Sequence, residues 1–301
     1  MDNFAFSYPR YLAAKESVDE RALNERVLRC FLDQLTERTG ATLRILEVGG
    51  GTGAMLRRLI PLLERDSNQS MEYTLIDQRA ENVEEGERAL RSWAQPTEYD
   101  ITKTGKREYH LNDGGFDHVR VQFIAGDFFE YAGEGTEGVD AIVAQAVLDL
   151  VDLDRTFRHL RSRLRHHGLW YLPTHFDGTT TFEPIVDPDL DRNIEQAYHR
   201  SMLDPHTGRH MLTALRTASA SLLEVGSSDW IVFGSNGAYP KDEQYFLHSI
   251  LHFIKNEVST SDRVDTDDLE KWIRRRTQQA KAGDLIYLAH QLDVCAEHIH
   301  Q

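Results

Sequence analysis

Cysteine is nearly absent: Cys30 and Cys295 are the only two in 301 residues, far apart and without the paired spacing of a metal site. That excludes a disulfide-stapled framework and fits buried thiols in a reducing compartment, so the expected address is cytoplasmic. Long apolar runs are missing too. No stretch approaches the roughly 18 apolar residues of a membrane span, and the opening MDNFAFSYPRYLAAKE has no continuous apolar core of the kind a signal peptide carries. Neither secretion nor a membrane partner is expected. Positive charge is scarce, with 34 basic residues against 49 acidic ones and a formal net charge of −15. A polyanion would meet a repulsive mean field, so nucleic acid is not an expected partner. The densest basic runs, Arg158 to His167 and Lys271 to Arg276, have helical spacing and read as solvated helix faces.

What is present is an ordinary globular composition, 40% hydrophobic and 28% charged, without repeats. Apolar residues recur at three- and four-residue intervals from Val18 to Leu35, which predicts one amino-terminal helix. Leu43–Val48 then reads as a strand, Gly53–Arg65 as a helix, Glu72–Asp77 as a strand, Ala80–Ala94 as a helix and Val119–Asp127 as a strand. Val139–Val151 starts as a buried strand, Leu153–Leu164 is a helix and Gly168–Phe176 is a further strand. This alternation predicts a doubly wound, mostly parallel sheet covered on both faces. Gln95–His118 is an insertion with the makings of a small hairpin. Asp177–His210 is polar and reads as a lid that interrupts the sheet. Met211–Ala220 looks helical, Asp229–Gly234 and Leu285–Ala296 look like late strands, and two amphipathic helices, Asp242–Val258 and Asp267–Gly283, lie between them. Their apolar stripes suit packing on the sheet or a homodimer face.

The segment RILEVGGGTGAM, Arg44 to Met55, runs from a greasy strand into glycines. In such sheets ligands sit beyond the carboxyl ends of the strands, and glycines let the backbone approach them. The spacing is E-x-G-x-G-x-G through Glu47, Gly49, Gly51 and Gly53, whereas a dinucleotide fingerprint would place glycine at Ala54, a tolerated variant. Glu47 discriminates better: a carboxylate there is unhelpful beside a pyrophosphate but balances an ammonium or sulfonium. Asp77 ends the second strand, where an acid accepts from ribose hydroxyls. Asp127 ends the third, where it can accept from an exocyclic amine, with Phe128 or Phe129 to cover an aromatic ring.

In this order and spacing these residues resemble the class I S-adenosylmethionine-dependent methyltransferases, over roughly Arg44 to Phe176. The resemblance implies a Rossmann-like sheet of seven strands with S-adenosyl-L-methionine as cofactor and S-adenosyl-L-homocysteine as product. It places Gly49, Gly51 and Gly53 at the cofactor's amino-acid end, Glu47 near its ammonium, Asp77 at the ribose, and Asp127 and Phe128 at the adenine, with Gln78 and Gly126 also among the cofactor contacts. Gln145 and Ala146 fall near the reacting methyl, and Tyr8 and Tyr11 offer an amino-terminal cover, Tyr11 toward the cofactor and Tyr8 toward the acceptor. One domain over residues 1–301 is expected, divided into a helical cover (1–40), a cofactor-binding core (41–176), a lid (177–212) and a carboxy-terminal part with a helical pair (213–301). The chain departs from the family where two helices intervene between the late strands, and it lacks the D/N-P-P-Y/F signature of nucleic-acid amino methyltransferases.

Methyl transfer is an in-line displacement, so positioning outweighs acid–base chemistry. The expected acceptor is a small molecule methylated at nitrogen or oxygen. Glu183, Tyr198, His199 and Trp230 are candidate contacts, and His175 is the candidate general base. His199, His206 and His210 lack a supporting carboxylate set, and no metal is expected. An NAD-dependent oxidoreductase and a non-catalytic S-adenosylmethionine-binding protein are the alternatives.

Overall fold

Asn24 divides the amino-terminal helical stretch. Its side chain accepts from the N–H groups of Arg26 and Val27, so the single helix expected from periodicity is two: α1, Tyr8–Ala22, and α2, Glu25–Thr36. The computed structural model describes residues 4–38, 42–63, 70–97, 99–112, 119–133 and 138–299. The last two residues of the helix expected to reach Arg65, the end of the 95–118 insertion, and residues 1–3, 39 and 40 of the cover lie outside them.

Beyond α2 the chain alternates. β1 (Thr42–Val48), α3 (Ala54–Leu63), β2 (Ser70–Asp77) and α4 (Ala80–Ala94) lead to a hairpin of β3 (Asp100–Gly105) and β4 (Glu108–Asn112). β5 (Val119–Ala125), β6 (Val139–Val143), α5 (Leu153–Arg161) and β7 (Leu164–Glu183) follow. The carboxy-terminal part comprises α6 (Pro188–Ser201), α7 (Thr207–Thr217), β8 (Ala220–Ser227), β9 (Trp230–Val232), α8 (Glu243–Val258), α9 (Thr266–Ala282) and β10 (Ile286–His298).

The described strands form one mixed sheet of ten, ordered β3-β4-β5-β2-β1-β6-β7-β10-β8, with β9 also paired to β10. This corrects the expectation of seven mostly parallel strands. β5, β2, β1, β6 and β7 are parallel, while the pairings of β3, β4, β8, β9 and β10 are antiparallel. The buried parallel strands announce themselves as apolar runs. The edge strands do not: β3 reads DITKTG, mostly exposed, and β8 was missed altogether. β7 also runs on past Phe176 into the stretch read as a lid, pairing Thr180–Glu183 with Ile286–Ala289 of β10.

Helices cover both faces. Phe31 of α2, Leu56 and Leu59 of α3 and Val83 of α4 pack on one face, and Phe157 of α5 with Met211 and Leu215 of α7 on the other. A third cluster joins α1, α6, α8 and α9 to the prolonged ends of β7 and β10, with Tyr11, Ile194, Phe246 and Trp272 inside it. The helical pair therefore packs on this chain's own cap. No described helix is long and apolar enough to cross a membrane.

Candidate active site

The glycine turn follows from β1. Once the buried strand ends at Val48, Gly49, Gly51 and Gly53 all take left-handed backbone, with φ of +64°, +54° and +75°. A side chain at Gly49 would put its Cβ 2.4 Å from Val147 Cγ2, so only glycine fits between the ends of β1 and β6. Asp77, at the end of β2, braces this turn. Its Oδ2 accepts from Gly51 N at 2.8 Å, and its Oδ1 accepts from Arg79 N at 2.9 Å and Asn82 Nδ2 at 3.0 Å.

Glu47 is buried within β1 and accepts from the Tyr73 hydroxyl at 2.7 Å. Burial pushes its carboxyl up to about 8, against the opposing pull of that hydrogen bond and of the Arg57 guanidinium. At the end of β5, Asp127 accepts from Phe129 N at 2.9 Å, and the Phe128 and Phe129 rings stand 4.4 Å apart.

These groups open on one cavity of about 790 Å³ at the carboxyl ends of the parallel strands. Tyr8, Tyr11, Glu47, Gly49, Gly51, Asp77, Gln78, Gly126, Asp127, Phe128, Gln145, Ala146, Tyr198 and Trp230 all line it. Gly53 shapes the turn without lining the cavity. Glu183 lies instead on a separate cavity of about 200 Å³ beside Asp191 and Trp272.

His175 does not line the cavity either. It is fully buried, its Nδ1 is 3.3 Å from Leu172 O, and burial pushes it down to about 3. The expected general base is thus a core histidine: alternation along β7 turns it away from the side that carries Thr174 and Phe176 into the cavity. His199 meets Thr180 Oγ1 at 3.1 Å and His210 pairs with Asp204 at 2.7 Å.

Sequence reasoning missed a polar knot on α1. Asp19 accepts from Lys15 Nζ at 2.5 Å, Gln145 Nε2 at 2.9 Å and Trp230 Nε1 at 2.9 Å, tying the cover to the turn after β6 and to β9. Lys15 and Asp19 are both buried and share the apolar stripe of Tyr11, Ala14 and Val18; charges on that stripe were the available signal. Asn82, Asp149, Thr174, Glu257 and Gln291 also line the cavity and were not assigned. Ala146 and Thr174 hold left-handed backbone at φ of +49° and +59°, a strain that clusters where geometry is functional.

No family model matches the chain, and no curated protein matches it. Solved structures do. A Bacillus halodurans protein provisionally assigned as a methyltransferase aligns with 90% of this chain and 98% of its own, at a TM-score of 0.50 and 12% identity. The geranyl diphosphate C-methyltransferase of Streptomyces coelicolor, solved with magnesium, geranyl diphosphate and S-adenosyl-L-homocysteine, aligns over 91% and 79% at a TM-score of 0.45 and 12% identity. The 4+2 cyclase SpnF aligns over 98% and 95% at a TM-score of 0.45 and 16% identity. At such identities the likeness is one of fold.

The chain has the class I methyltransferase fold. Within that methyltransferase fold the chain leaves β1 for β2 on one side, while β6 lies on the other, and the crevice at this reversal is where open α/β sheets bind ligands. The cavity occupies that place. The prolonged β7 and β10 and the helices α1, α6 and α8 roof it.

Proposed function

We propose that the protein is an S-adenosylmethionine-dependent methyltransferase acting on a small molecule by in-line transfer to nitrogen or oxygen. The observation that carries this reading is the convergence of Glu47, the Gly49–Gly51 turn, Asp77 and Asp127 with Phe128 from three adjacent strand ends onto one cavity wall. The residues fit the nucleoside. Asp77 already accepts three protein donors, and a carboxylate has about four lone-pair sites, so it can take one ribose hydroxyl. Asn82 Oδ1, buried and without a partner, supplies an adjacent acceptor for the second. Asp127 and Phe128 would hold the adenine, and Glu47 the ammonium.

When bound, the cofactor supplies a methyl group on a sulfonium that leaves as a neutral thioether. The protein's part is alignment and exclusion of water, through the roof of Tyr8, Tyr11 and Tyr198 and the knot at Asp19. A pyrophosphate ligand is the poorer fit because Glu47 and Asp127 would face it.

Calorimetric titration with S-adenosylmethionine, S-adenosylhomocysteine and NAD, repeated on Asp77→Ala, tests this reading. Binding of both sulfur nucleosides that is lost in the variant and absent for NAD supports it. Binding of NAD alone would overturn it.

A further inference from the structure

Beyond the groups assigned to the nucleoside, the same cavity carries a second set of unmet polar atoms. The buried side-chain atoms among them without a hydrogen-bond partner are Asp149 Oδ1 and Gln291 Oε1, which accept, and Thr174 Oγ1, a hydroxyl that accepts or donates. No buried N–H donor among the described cavity side chains lacks a partner. Gln291 and Thr174 are each only 2% exposed. An unmet buried acceptor costs about 1–3 kcal/mol, so this compartment is suited to a ligand that donates.

Charge points the same way. Asp19, Asp77, Asp127, Asp149 and Glu257 line the cavity, beside a Glu47 carboxyl lifted to about 8, and Lys15 and Arg79 are the cations among its described lining residues. Both cations are engaged: Lys15 by Asp19 at 2.5 Å, and Arg79 by Glu81 at 3.6 Å with its guanidinium 4.4 Å from the centre of the Tyr8 ring. An anionic acceptor would find no uncommitted cation among the described lining residues, whereas the rings of Tyr198 and Phe253, which carry no protein cation, offer faces that cations prefer.

Resting on the methyltransferase reading, we propose that the acceptor is an amine with an apolar body, anchored by N–H donation to Asp149 Oδ1 and seated among Tyr8, Tyr198 and Phe253. A hydroxyl offers one donor, whereas an amine offers two or three, in keeping with the unmet acceptors on Asp149 and Gln291. Leu150 and Leu203, exposed at the cavity rim, suit the apolar body.

The test is calorimetry on the protein loaded with S-adenosylhomocysteine, using two matched series: phenethylamine, 2-phenylethanol and phenylacetate, then hexylamine, hexanol and hexanoate. Amines are expected to bind about tenfold more tightly than the alcohols of the same skeleton. Asp149→Asn should erase that preference while S-adenosylhomocysteine binds as before, and Asp149→Glu should restore part of it. Equal or tighter binding of the alcohols or carboxylates, no amine binding at all, or an amine preference that survives Asp149→Asn overturns the inference while leaving the cofactor reading intact. Failure of the wild-type protein to bind S-adenosylhomocysteine overturns the methyltransferase reading and this inference with it.

Discussion

Asn82 donates through Nδ2 to Asp77 Oδ1 at 3.0 Å and leaves its own Oδ1 buried without a partner, on the wall of the cavity. Because the carboxylate can only accept, this bond also fixes the orientation of the amide, so the free oxygen is Oδ1 and not the nitrogen. The pair presents two acceptors side by side, as a vicinal diol requires.

Asn82→Ala is therefore expected to weaken S-adenosylhomocysteine by about tenfold, the worth of one hydrogen bond from a buried site. Calorimetry on the variant measures it, and an unchanged affinity would remove Asn82 from the ribose site.

The glycine turn predicts a contrast between two single methyl additions. Gly49→Ala forces a side chain into left-handed backbone and 2.4 Å from Val147 Cγ2, while Gly126 has nothing within 4 Å of its added Cβ. The backbone penalty alone is about 1–2 kcal/mol. Gly49→Ala should lower the unfolding midpoint by several degrees and abolish nucleoside binding, and Gly126→Ala should leave the midpoint unchanged. Equal midpoints in thermal unfolding would contradict this picture of the turn.

Burial lifts the Glu47 carboxyl from 4.5 to about 8. Between those values the folded chain holds a proton that the unfolded chain has released, so this group's contribution is full below 4.5 and is lost as pH rises through 8. Glu47→Gln keeps the shape and needs no proton. Its stability relative to the native chain should rise across that window, as urea unfolding at about pH 5 and about pH 9 can show. An ammonium beside Glu47 would draw the carboxyl down again, so S-adenosylmethionine binding at neutral pH should release a proton. A binding heat independent of buffer ionisation enthalpy would count against the contact.

His175 offers a negative prediction. Buried, away from the cavity and held down at about 3, it has no route to the acceptor. His175→Gln should reduce stability while leaving the shape of the pH–rate profile unchanged. Loss of an ionisation from that profile would restore it as the base.

The cavity wall at the strand ends was legible in the sequence because its signals are local. A buried parallel strand is an apolar run, a turn that needs left-handed backbone is a glycine cluster, and Glu47, Asp77 and Asp127 lie at or near fixed distances from strand ends. The rest of the cavity was not legible, because Lys15 and Asp19 on α1, Asp149 in the turn after β6, Thr174 on β7 and Gln291 on β10 come from four separate elements or turns with no common spacing. His175 was misplaced for a related reason: strand alternation makes neighbours face opposite sides, and only the packed sheet says which side is the cavity.

By itself the sequence determined the alternating α/β core and the strand-end acids and glycines, because period and backbone conformation are properties of consecutive residues. Only the tertiary structure decided the edge strands, the prolongation of β7 along β10 and the polar surface left for an acceptor. Those depend on which distant groups satisfy one another when the chain closes, and on which few are left unpaired.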